Sequence, residues 1–252
     1  MSRAAGLALL GLCLAGTAGA QTAEEIVARN VAARGGLEAW RAVKSMTLTG
    51  HMDVGHDTKV PYRLELARPR RMRLEFEFSG ATAVQTFDGH KGWKLMPFLG
   101  KREALPLTEQ ELSLSAGQAE LDGPLVDYQA KGHRVELVGE EEVEGRKTTR
   151  LRITLASGAV RDVWIDAETG LETKYETTHL VRSEKRRLET YYRDYRSVGS
   201  LTIPHRIETR LEGAPTSPQV TVDAVRLNDR LGDERFGMPA LTASATPQRI
   251  VR

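Results

Sequence analysis

Cysteine is almost absent: Cys13 is the only one in 252 residues. It lies within an apolar N-terminal run, residues 4–15, that follows a single charge at Arg3 and leads to Ala18-Gly19-Ala20 before Gln21. This pattern reads as a secretory signal peptide, residues 1–20, because the run is too short to span a bilayer and ends in a small-x-small cleavage site. A lipoprotein signal built on Cys13 fits less well, since Leu12 stands where a small residue is wanted. Cleavage after Ala20 leaves 232 residues with no thiol, which excludes a disulfide, a cysteine nucleophile and a thiolate metal site. An exported chain of that length without disulfides needs, and can supply, one sizeable core.

A second long apolar run is also missing, so the mature chain is not expected to cross a membrane. No sign of charge dominates either. Loss of Arg3 leaves 35 basic residues against 34 acidic ones, mixed along the chain, which gives nucleic acid no footprint as a partner. There is no GxSxG, no P-loop and no GxGxxG. His51, His56, His90, His133, His179 and His205 show no ligand spacing, so no metal and no cofactor is expected. Asp88, in FDGHKGW, is the one carboxylate placed like a catalytic acid, and Asp-Gly is foremost a tight-turn signal. Nothing here calls for an enzyme.

What the chain does have is alternation. In KVPYRLELA and RMRLEFEF the apolar residues fall at even positions, Val60 to Leu66 and Met72 to Phe78, across a short turn at Arg68-Pro69-Arg70. Period-2 alternation puts each apolar set on one side of a strand, so the two runs predict a hairpin with one apolar face and one charged face. On the charged face Glu65 and Glu75 are expected to pair with Arg73 and Arg63 across the hairpin. Met46, Leu48, Met52 and Val54 predict an earlier strand, and residues 82–87 and 92–98 two later ones. After Gly132 strands resume at 134–139, 147–156, 160–166, 171–178, 187–196, 201–211 and 219–227, with turn signals between them.

Helices are few. Thr22 and Glu25 form a capping box before a helix that should end at Gly35-Gly36; residues 37–43 make a second, packing Trp40 on the sheet. Thr108 and Glu111 open a third, running to about Leu121 with Gly117 as a weak point. The fold class is therefore mainly β: an antiparallel meander of about ten to eleven strands, with short helices covering its apolar face. One domain, 21–239, is expected, followed by a mobile tail, 240–252. Ten or eleven strands exceed what a self-filled barrel needs. Helices and loops either fill the apolar face or leave a concave cavity that accepts an alkyl chain. The residues proposed to line it are Leu48, Met52, Tyr62, Leu64, Leu66, Met72, Leu74, Phe76, Phe78 and Trp93.

The succession GGLEAW, KSMTLTGHM, YRLELARPRRMRLE, FDGHKGW, VWIDAETGLETKYE and YRDYRSVGSLTIPHRIE resembles the LolA-like family of periplasmic outer-membrane lipoprotein-sorting proteins. The likeness runs from Thr22 to about Pro239 and lies in the order of the segments. It implies an unclosed antiparallel β-barrel capped by helices, with a hydrophobic cavity for acyl chains and no chemical step. As partners it implies an acylated ligand (a lipoprotein or another lipid), an inner-membrane donor and an outer-membrane acceptor, with a monomer as the working form. Folds of this kind also serve as envelope sensors that bind a protein or lipid and regulate signalling, and that is the alternative reading.

Overall fold

In the computed structural model, residues 21–53, 55, 58–181 and 184–240 are described. The expected leader, residues 241–252 of the tail, Val54, His56, Arg182 and Ser183 lie outside them, as does the side chain of His179.

Thr22 caps the first helix, α1 (Ala23–Ala33), its hydroxyl accepting from the Glu25 N–H at 3.2 Å while Glu25 returns a carboxylate to the Thr22 N–H at 3.0 Å. The helix stops where Gly35 takes φ +115°; a Cβ there would sit 2.2 Å from the Ser200 carbonyl oxygen, so only glycine fits. A short α2 (Leu37–Ala42) follows and buries Trp40, whose indole N–H donates to the Arg34 carbonyl at 3.2 Å.

The chain then enters β1 (Ser45–Asp53), β2 (Lys59–Ala67), β3 (Arg71–Phe78), β4 (Ala81–Phe87), β5 (Gly92–Leu95) and β6 (Leu105–Pro106). Strand β5 ends at Leu95 and not at Phe98 as expected. Pro97 has no N–H for a ladder, and Pro97–Leu99 forms a 3-10 turn instead. The third helix, α3 (Glu109–Gln118), has the expected capping box at Thr108 but ends at Ala119, short of Leu121. At Gly117 a Cβ would meet only the Arg161 guanidinium, the movable end of a flexible side chain, at 2.4 Å. The remaining strands are β7 (Arg134–Val143), β8 (Arg146–Thr154), β9 (Val160–Asp166), β10 (Glu172–Val181), β11 (Glu184–Val198), β12 (Leu201–Leu211) and β13 (Gln219–Leu227).

All thirteen strands form one antiparallel sheet in the order β6-β5-β4-β3-β2-β1-β13-β12-β11-β10-β9-β8-β7. Among the described residues β6 and β7 pair on one side only, so the sheet is unclosed. The count exceeds the expected ten to eleven: all twelve runs marked in the sequence are strands, and two-residue β6, in a stretch read as a break, is the thirteenth.

Helices cover one face, called here the inner face. Ile26, Val27 and Val31 of α1 and Trp40 of α2 join Met46, Leu48, Leu66, Met72 and Phe87 in a single buried cluster. The far half of the sheet adds Leu151, Ile153, Val163 and Ile165 to it. The loop after α3 completes this closed end. Asp122, 3% exposed, accepts from Arg68 and Lys131, both at 2.7 Å, while Arg68 also donates to the Trp40 and Val43 carbonyls. A buried carboxylate between two cations ties α2, the β2–β3 turn and the loop together.

The outer face is charged and ordered. Trp164, Lys174, Tyr191 and Arg210 stack in series, Lys174 Nζ lying 4.3 Å from the Trp164 ring and the Arg210 guanidinium 4.2 Å from Tyr191. At β2 and β3 the register sets Arg63 opposite Glu75 and Glu65 opposite Arg73, as expected, but the ion pairs run elsewhere. Arg63 binds Glu65 along its own strand at 2.5 Å and Arg73 binds Glu75 at 2.6 Å. The reason is the segment after β13. Its 3-10 turn Asp233–Phe236 lies on the outer face, sends Arg235 to Glu65 at 2.6 Å, and buries Glu65 and Phe236 completely.

Candidate functional site

Register decides which of the ten expected residues share a face. Leu48, Leu64 and Leu74 are opposed across β1, β2 and β3, as are Leu66 and Met72, and Tyr62 and Phe76. Since β-strand side chains alternate, these residues, with Met52 and Phe78, all stand on the inner face. Trp93 does not. It opposes Thr86, which opposes Arg73, so it belongs to the outer face. The Asp88–Lys91 loop pairs Phe87 with Gly92 and thereby sends Trp93 to the other side. The loop spends Asp88 as well: its carboxylate accepts from the His90 and Lys91 N–H groups at 2.8 and 2.7 Å, a turn role.

The nine inner-face residues then divide by depth. Leu48, Leu66 and Met72 are core, and Leu64 packs against that core. Met52, Tyr62, Leu74, Phe76 and Phe78 lie beyond it, toward the other end of the strands, and Phe78 is 38% exposed. Phe98 joins them. Its ring lies 6.0 Å from Phe76 and 5.3 Å, edge-on, from Phe78. Leu99 and Leu105 nearby are also exposed. Phe98, expected as the end of a strand and not among the lining residues, reaches this strip because Pro97–Leu99 forms a 3-10 turn.

Across β13 and β12 the same face continues through Val220, Ile207 and Tyr192, the row that begins at Met52. The phase of Ile203, Ile207 and Leu211 signals this second wall, although none was among the expected lining residues. Burial raises the phenols of Tyr62 and Tyr192 well above the ordinary tyrosine value, so both keep their protons at any physiological pH. Neither hydroxyl has a hydrogen-bond partner among the described residues. They are two O–H donors on the inner face, Tyr192 with Glu172, Arg34 and Arg161 near it.

Helix α3 spans this region. Leu112 and Ala116 pack toward the core, Ser115 accepts from the Gln85 amide at 2.9 Å, and Lys94 of β5 pairs with Glu111. Gln85 and Lys94 lie in the inner-face row of Leu74, so two polar contacts hold the helix over the sheet. Two polar cavities lie apart from this site. One of about 380 Å³ is on the outer face beside Glu65, and one of about 620 Å³ is at the turns that include Arg146 and Asp166. Among the described residues no helix is long and apolar enough to cross a membrane, and no group of three His, Cys, Asp or Glu residues could hold a metal.

The fold as a whole matches solved structures. A LolA superfamily protein from Nitrosomonas europaea superposes with a TM-score of 0.58 at 13% identity, over 86% of this chain and 98% of its own. The fold is LolA-like. A domain named provisionally as an outer membrane lipoprotein-sorting protein, from Vibrio parahaemolyticus, gives 0.55 at 15% identity, covering 84% and 94%. A DUF1329 family protein from Desulfovibrio piger gives 0.55 at 10%, covering 86% and 98%. No family model matches the sequence, and no curated protein matches it either. At such identities the LolA-like likeness is one of fold alone.

Proposed function

We propose that the chain is a periplasmic carrier that takes the acyl chains of lipoproteins, or of another lipid, between the inner face and its covering helices. The observation that carries this reading is the strip Met52, Tyr62, Leu74, Phe76, Phe78 and Phe98, apolar and outside the packed core. An alkyl chain laid on such a strip gains about 0.8 kcal/mol per buried methylene, so burial alone supplies the affinity and no chemical step is needed. The unpartnered hydroxyls of Tyr62 and Tyr192 suit the ester or amide carbonyls where acyl chains join their headgroup. Helix α3 must shift to admit a chain, and its fastening through Gln85–Ser115 and Lys94–Glu111 is polar and therefore separable in water.

In this reading residues 1–20 are the leader, 21–239 the single carrier domain, and 240–252 a tail. The protein works as a monomer, loading from an inner-membrane donor and delivering to an outer-membrane acceptor. The test is native mass spectrometry of the mature protein purified from its own periplasm, followed by denaturation to free any ligand. An acylated species of defined mass supports the carrier. A protein that emerges empty and ignores added lipid and lipopeptide overturns it, and recovery of one specific envelope regulator would favour a sensor instead.

A further inference from the structure

The outer-face cavity beside Glu65 is built from arginine. Arg63 and Glu65 on β2, and Arg226 on β13, flank β1, while Asp229, Arg230 and Arg235 come from the segment that follows β13. Leu231 is the one apolar side chain lining it. Four guanidiniums face two carboxylates, an excess of two positive charges.

The carboxylates are already engaged. Both oxygens of Glu65 are taken by Arg63 and Arg235, and Asp229 is held by Arg226 at 2.8 Å. Arg230 has no hydrogen bond or ion pair among the described residues, so all five of its N–H donors are unspent. Beneath them Thr47 stands in the same row, directly between Glu65 and Arg226. It is 1% exposed, and its hydroxyl is buried without a partner. That hydroxyl does not line the hollow, so an occupant is held by the guanidiniums above it.

The geometry narrows the chemistry. Guanidinium forks recognise planar or tetrahedral oxyanions through paired bonds, and a lining with more guanidiniums than carboxylates favours an anion. A volume of about 380 Å³ leaves room for more than the anion itself. We propose that this pocket binds a phosphate group, carried either on a lipid headgroup or on a small soluble compound. The site lies on the face opposite the acyl-binding strip and is independent of that reading.

The experiment titrates the mature chain with inorganic phosphate by calorimetry and, in parallel, measures flotation with phosphatidylcholine vesicles with and without phosphatidylglycerol. The double variant Arg226→Gln/Arg230→Gln removes the two cations not needed to satisfy buried Glu65. Arg134→Gln, exposed on edge strand β7, is the single-charge control. Saturable phosphate binding that weakens at least about tenfold in the double variant, and is unchanged in the control, is the expected result. Flotation that requires phosphatidylglycerol and fails in the double variant assigns the phosphate to a lipid; phosphate binding without flotation assigns it to a soluble compound. Absence of both signals, or binding that survives the double substitution or falls equally in the control, overturns the proposal.

Discussion

The buried triad Arg63–Glu65–Arg235 makes a prediction in which removing the cations costs more than removing the anion they surround. Glu65 is fully buried, whereas the side chains of Arg63 and Arg235 are 32% and 36% exposed. In Arg63→Gln/Arg235→Gln the carboxylate stays where it is, out of reach of water and without a cation. Leaving a charge stranded in this way costs about 3–5 kcal/mol. In Glu65→Leu the two guanidiniums lose a partner but turn to solvent, and an aliphatic side chain of similar length fills the space. The expected cost is about 1 kcal/mol or less, since the expensive error is an unsatisfied buried group and not a missing bond. Urea unfolding followed by tryptophan fluorescence measures both, with equal m-values as the check that one transition is compared. A Glu65→Leu cost equal to or above that of the double variant would refute the reasoning.

Phe76→Glu places a charge on the exposed part of the inner face and should abolish uptake of a fluorescent fatty acid. Its unfolding midpoint should stay near wild type, because Phe76 lies outside the buried cluster; a collapsed midpoint would make the residue structural. Gly35→Ala drives a Cβ onto the Ser200 carbonyl at a left-handed φ and should cost at least about 2 kcal/mol, read by the same denaturation. The Asp166 carboxyl is raised by its burial but lowered more by the Thr169 N–H and hydroxyl, Arg146 and the Glu168 N–H, with a net depression. Asp166→Asn should cost about 1.5–3 kcal/mol at pH 7. Because the folded carboxyl titrates below the unfolded one, that gap holds above about pH 4 and closes in stronger acid. A gap that persists unchanged at pH 2 would show that charge is not what Asp166 contributes.

The legible part of this molecule is local and periodic. Alternation from Val60 to Phe78 placed eight side chains on the correct face, and Thr22–Glu25 and Thr108–Glu111 announced two helix starts, since all the physics involved acts within a few residues. Trp93 went to the wrong face because parity across a hairpin depends on how many residues the turn consumes. Trp93 and Leu95 do alternate with Gly92 and Lys94, but the apolar side of that strand is the outer one, where the segment at Gly237 lies over Thr86. The division of the inner face into core and accessible strip was not legible either. It depends on where α1, α2 and the loop after α3 settle, far away in sequence. The same holds for Glu65, which reads as an ordinary solvated strand carboxylate until Arg235, 170 residues on, closes over it.

A closed barrel has a fixed bore, because strand number and shear set its radius. Among the described residues this sheet has two edge strands that pair on one side only: a two-residue strand containing Pro106, and a ten-residue strand whose pairing slips at Gly139 and whose far half carries Glu140, Glu141 and Glu142. Proline, irregular pairing and clustered like charge are what keep such rims from zipping onto a neighbouring molecule. Freed from closure and guarded against polymerisation, the wall can flatten or curl by small changes of twist spread over twelve strand junctions. For the proposed carrier, capacity would then follow the girth of the acyl chain it takes, and a single sequence would serve guests of different sizes without rebuilding its interior.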